Sequence, residues 1–103
     1  MRMLPKKRTP VHPGEMLLEE FLKPMGVSQS EFARKAQISF PRMNEIIRGE
    51  RGVSLDTALR LSQMLGTTPG FWLNMQQDWD LWHALRSPEA KEIAKLPKLR
   101  ATA

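Results

Sequence analysis

Arg42, Asn44, Glu45, Arg48 and Arg51 crowd into one short stretch, and they carry the groups that read the edges of bases. An asparagine amide pairs with adenine, and a guanidinium reaches guanine or a phosphate. The blander alternative is a solvated helix face with an internal pair such as Arg42 with Glu45. Other chemistries are poorly provided for. There are no cysteines, hence no disulfide framework, Cys-based zinc site or thiol nucleophile. His12 and His83 lie too far apart in sequence to suggest a metal motif. No nucleophile–base pair or phosphate loop is evident, so neither a cofactor nor an enzymatic activity is expected.

Overall charge points the same way. The 103 residues carry a net charge of +5 and a pI near 10.1, which favours an anionic partner. Cations concentrate in the N-terminal arm, between Arg34 and Arg51, and after Lys91. Carboxylates concentrate at positions 15–20 and 78–80. The apolar runs fall far short of the roughly 18–20 residues that span a bilayer. The basic start lacks an apolar segment behind it, so no signal peptide is expected, and the expected location is cytoplasmic.

Those side chains need elements to hold them. Residues 1–12 hold cations, prolines and no periodicity, and are expected to be a flexible basic arm. Pro13 suits the first position of a helix, with Leu17, Leu18, Phe21 and Leu22 on one face and Pro24 and Gly26 at its end. Ser28-Gln29-Ser30-Glu31 is a capping box opening a second helix that buries Phe32, Ala33 and Ala36. Ser54 caps a fourth helix with Leu55, Ala58, Leu61 and Leu65 inward and Gly66 as its stop. Thr68-Pro69 starts a longer fifth helix through Leu85. Ser87-Pro88 begins a short C-terminal extension, 87–103.

The third helix lies in ISFPRMNEIIRG, residues 38–49. Pro41 inside it would cost about 3 kcal/mol in a helix interior. With Ser39 as N-cap, Pro41 falls in the first turn, where N–H groups have no carbonyl partner. Met43, Ile46 and Ile47 then face inward. Two short helices joined by a tight turn in an all-α, five-helix domain (13–86) form a helix-turn-helix, lambda-repressor-like arrangement. Phe40 either packs in the core or meets a thymine methyl group. Gln29 and Ser39, at helix N-termini, are candidates for phosphate contact.

Residues 12–39, HPGEMLLEEFLKPMGVSQSEFARKAQIS, and 42–76, RMNEIIRGERGVSLDTALRLSQMLGTTPGFWLNMQ, resemble the HigA-type antitoxins of the XRE helix-turn-helix family. The combination of HPGE, NEIIRG, TALRL and FWLNMQ carries the resemblance. It implies a dimer that binds double-stranded operator DNA and represses its own operon. It also implies a partner, a small RelE-like toxin that cleaves mRNA at the ribosome and is held inactive. The motif positions that face DNA would be Gln29, Ser39, Phe40, Pro41, Arg42, Asn44 and Glu45. Gln37 departs from the pattern, standing where many such proteins have glycine. A stand-alone XRE-type regulator without a toxin is the alternative.

Two surfaces follow. Phe71, Trp72, Met75, Trp79 and Trp82 exceed what one buried stripe needs and are expected to meet a second copy. An inhibitor of a basic ribonuclease gains from negative charge, which makes Glu15, Glu19 and Glu20 the candidates for toxin contact. Their other reading is that of N-terminal acids favouring the helix dipole.

Overall fold

Capping residues place nearly every boundary in this fold. The computed structural model describes residues 9–100, so most of the expected arm lies outside the described residues. The described part is all-α. α1 (Pro13–Met16) leads directly into a π-helical stretch (Leu17–Leu22) and α2 (Lys23–Met25). Pro24 accounts for the wide turn. It has no N–H, and in α-helical register its ring presses on the carbonyl four residues back. An i→i−5 spacing moves that carbonyl aside, and Lys23 N donates to Leu18 O. The helix therefore passes through Pro24, expected to help end it, and stops at Gly26, which is left-handed at φ 68°.

α3 (Gln29–Ala36) starts at Ser28, whose Oγ accepts from Glu31 N at 3.1 Å. Only the serine half of the expected capping box forms; the Glu31 carboxylate pairs with Lys35 at 3.3 Å. Gln37 ends α3 at φ 59°, the left-handed region that disfavours a side chain. Ile38 N donates to Ala33 O and Gln37 N to Arg34 O, the pair of bonds that makes a left-handed stop worthwhile. α4 (Phe40–Ile47) begins at Ser39, which accepts from Arg42 N, with Pro41 in the first turn. α5 (Leu55–Leu65), α6 (Pro69–Leu85) and α7 (Pro88–Ile93) start at Ser54, Thr68 and Ser87, each accepting from a backbone N–H.

The core lies between the Leu17–Leu22 segment, α3, α4, α5 and the first half of α6, with Leu17, Leu22, Phe32, Met43, Ile46, Leu61 and Trp72 among its members. Two expectations are corrected here. Trp72, assigned to a dimer surface, is fully buried within the chain, and its Nε1 donates to Thr67 Oγ1 at 2.7 Å. Leu55, assigned to the inner face of α5, is 71% exposed because the buried stripe runs through Thr57, Ala58 and Leu61.

α1 sits directly on the end of α4. A Cβ on Gly14 would fall 1.8 Å from the Ile46 carbonyl oxygen, so only glycine permits that approach. His12, assigned to the arm, is buried and belongs to this joint. Beyond α4, Gln76 of α6 holds the loop to α5. Its Oε1 accepts from Val53 N at 2.8 Å, and its Nε2 donates to Asp80 Oδ1 at 2.9 Å.

Candidate nucleic-acid interface

The start of α4 stands clear of the core. Phe40 is 48% exposed and Pro41 is also exposed, so Phe40 does not pack in the core. A proline and a phenylalanine at this tip present rigid apolar surface of the kind that contacts a thymine methyl. Ser39 beside them is exposed as well, but its hydroxyl is already engaged with Arg42 N. Behind the tip, Asn44 Nδ2 donates to Gln29 Oε1 at 3.0 Å. That bond orients both amides from neighbouring helices and leaves each with unused donors or acceptors.

Arg42 behaves differently from its expected role. Its Nη2 donates to Ser54 Oγ at 3.2 Å and to Thr57 Oγ1 at 3.0 Å. In this structure it therefore clamps α4 to the start of α5. A cation at a helix N-terminus is disfavoured by the macrodipole, and Asp56 in the first turn of α5 offsets this. Asp56 is in turn held below the usual carboxylate range, mainly by its hydrogen bond from Arg60. Arg42 Nε is buried without a hydrogen-bond partner. Sequence reasoning took Ser54 only as a cap and could not see that its hydroxyl also receives a guanidinium.

Arg42→Ala should therefore destabilise the fold by about 1.5–3 kcal/mol, the range for hydrogen bonds that involve a charged group. Urea denaturation checks this, and an unchanged midpoint would show that the clamp is only incidental.

The remaining polar candidates are paired with one another. Glu45 does not pair with Arg42; its Oε1 accepts from Arg51 Nε at 2.7 Å. Arg48 pairs with Glu50 at 2.9 Å. All four side chains are at least two-fifths exposed, so these pairs are weak and open to exchange for a polyanion. Phe40 and Pro41 thus form the tip, with the Gln29–Asn44 pair behind it and Arg48 and Arg51 in or beside the loop that follows α4.

A helix-turn-helix family profile matches residues 18–72, more than half of the chain. Antitoxin HigA-1 of Vibrio cholerae is 43% identical over 77 residues, covering 74% of this chain and 71% of that protein. This chain belongs to the HigA-type antitoxins of the XRE helix-turn-helix family. A HigA-type chain is a DNA-binding repressor and antitoxin. Virulence-associated protein I of Dichelobacter nodosus is 51% identical over 83 residues, covering 81% of this chain and 77% of that one. Among solved structures, antitoxin GraA in complex with its operator matches with a TM-score of 0.81 and 44% identity. That match covers 96% of this HigA-type chain and 100% of the other. No helix among the described residues is long and apolar enough to cross a membrane.

The surface assigned to a second copy divides. Met75 is half-buried and packs against the core. Trp79 is half-buried and packs against both His12 and His83, with ring centroids at 4.9 and 4.5 Å. Trp82 carries the Arg86 guanidinium 3.8 Å from its ring centroid. Of the five, Phe71 alone counts as exposed, at 37%. A shallow groove runs along another part of α6, lined by Leu73, Gln76, Gln77, Asp80, Leu81 and Ala84. Leu81 within it is 45% exposed, and Leu85, further along α6, is 59% exposed. Glu15, Glu19 and Glu20 are exposed on the first helix, with Glu19 tied to Lys23 at 2.7 Å.

Proposed function

We propose that this protein represses its own operon as a two-fold dimer bound to operator DNA, and that it holds a RelE-like mRNA-cleaving toxin inactive. The apolar, amide-bearing tip of α4 is the observation that carries the first half. Phe40 and Pro41 are exposed beside a pre-oriented Gln29–Asn44 pair, a surface with no duty in the core. The similar antitoxin GraA is known in complex with its operator. The Leu81–Ala84–Leu85 side of α6 supplies the surface for a second copy, in place of the buried Trp72. A two-fold pair then presents two α4 helices to half-sites about one turn of DNA (roughly 34 Å) apart. Glu15, Glu19 and Glu20 supply the negative surface for a basic toxin.

Titration of the chain against a duplex from its own promoter, at several salt concentrations, tests the DNA half. Affinity should fall steeply with salt, because each neutralised phosphate releases counterions. Asn44→Ala should lose about 1–3 kcal/mol on the operator and almost nothing on unrelated DNA. Equal binding of Asn44→Ala and the wild-type chain to the operator would reject α4 as the reader. For the toxin, the charge reversals Glu15→Lys and Glu19→Lys should abolish capture of a RelE-like protein encoded beside this gene. Undiminished affinity would remove that surface from consideration.

A further inference from the structure

The imidazole of His12 touches three elements at once. It caps α1, its Nδ1 accepting from Gly14 N at 2.9 Å. It meets Trp79 of α6 edge-on at 89°. Gly49, just past the end of α4, lies against the same ring, since a Cβ there would fall 3.7 Å from it. Two residues on from His12, Gly14 rests on the Ile46 carbonyl with no space between. The position of this ring is therefore linked to where the C-terminal end of α4 rests.

The cap also dictates a protonation state. Nδ1 accepts a hydrogen bond only when unprotonated, whereas an imidazolium has two donors and no acceptor. Protonation at Nδ1 would set two donors against each other and put a positive charge at the start of α1, where the dipole opposes it. The titratable groups that act on the ring are Asp80 and His83 from α6 and Glu15 from α1. The end of α4 meets it at Gly49.

We propose that neutral His12 is a positioning residue for the recognition helix, holding the end of α4 against α1 and α6, and that its protonation loosens α4 and weakens operator binding. The DNA consequence rests on the operator reading above; the coupling from His12 to Gly49 does not.

The sign is distinctive. Burial, as the largest cause, lowers the His12 pKa below its ordinary 6.5. The unfolded or loosened state then takes up the proton first, so the hold is complete above that value and is lost as pH falls below it. Bulk electrostatics runs the other way, because an added positive charge strengthens attraction to DNA. A loss of affinity on acidification separates the two effects.

The experiment follows the full chain from about pH 7.5 to 5 at constant ionic strength, the range in which histidine changes charge. Nuclear magnetic resonance reads the His12 ring and the Gly49 amide, and fluorescence anisotropy reads affinity for a duplex from the chain's own promoter. The Gly49 amide should shift with the His12 midpoint, and affinity should fall several-fold over the same interval. His12→Asn keeps a neutral acceptor for Gly14 N and should abolish both changes. His83→Gln removes the other histidine and should retain both. A Gly49 amide that ignores His12 overturns the proposal, as does wild-type affinity that stays level or rises in acid, or a His12→Asn variant that keeps the fall. Absence of operator binding at every pH would defeat the operator reading instead, and the Gly49 titration would still decide whether His12 holds α4. A His12→Asn variant that fails to fold leaves the wild-type and His83→Gln titrations to decide.

Discussion

Gly14→Ala is expected to push α1 away from α4 and to destabilise the protein strongly. A methyl group at that position has no place to go, because its nearest neighbour is the Ile46 carbonyl at 1.8 Å, with Ile46 C and Ile47 Cα also within 3 Å. These are backbone atoms, which cannot swing aside as a side-chain terminus does. Relief requires the whole of α1 to lift, which also disturbs the buried cap at His12. Overpacking usually costs 1–3 kcal/mol, and with backbone on both sides the loss should be about 3 kcal/mol or more. For a domain of this size that corresponds to a fall in Tm of more than about 12 °C. A thermal melt followed by circular dichroism measures it. A Tm within a few degrees of wild type would mean that the approach of α1 to α4 is looser than described.

Trp72→Ala should have an effect of similar size for the opposite reason. Trp72 is wholly buried, packs against Phe21 and Phe71 with ring centroids at 5.5 and 5.0 Å, and donates to Thr67 Oγ1. Truncation of such a residue costs about 3–5 kcal/mol through lost burial and the cavity left behind, out of a total near 5–15 kcal/mol. Trp72→Phe keeps most of the packing and loses the hydrogen bond, so it should cost about 1–2 kcal/mol. Denaturant titration of both variants separates the two contributions. Equal losses would place most of the energy in the Thr67 bond rather than in packing.

The helices were legible because their boundaries are written locally. Ser28, Ser39, Ser54, Thr68 and Ser87 each accept from an N–H within their own first turn, and Pro41 confirmed the register of α4. Gln37 could be recognised as an unusual left-handed stop because it stands where many similar helix-turn-helix proteins have glycine, and its φ of 59° places it there. What stayed hidden depends on partners distant in sequence. Arg42 turns toward Ser54 and Thr57 through tertiary contact, and a long side chain gives no local sign of its direction. His12 and His83, dismissed as far apart, both pack against Trp79. α6 misled for another reason: apolar side chains lie all around it, yet only Trp72 is buried, so periodicity could not separate core from exposed surface.

The connection between α3 and α4 has a further consequence, for changes of length rather than of residue type. It consists of Gln37, Ile38 and Ser39. The first is the left-handed stop, the second is buried, and the third is the cap. No position in it is idle. One inserted residue taken up at the start of α4 would turn that helix by about 100°, carrying Met43 and Ile46 out of the core and the Phe40 tip away from its present face. Variation in length within this chain therefore belongs outside residues 37–39, whereas substitution on the exposed tip of α4 leaves the frame intact.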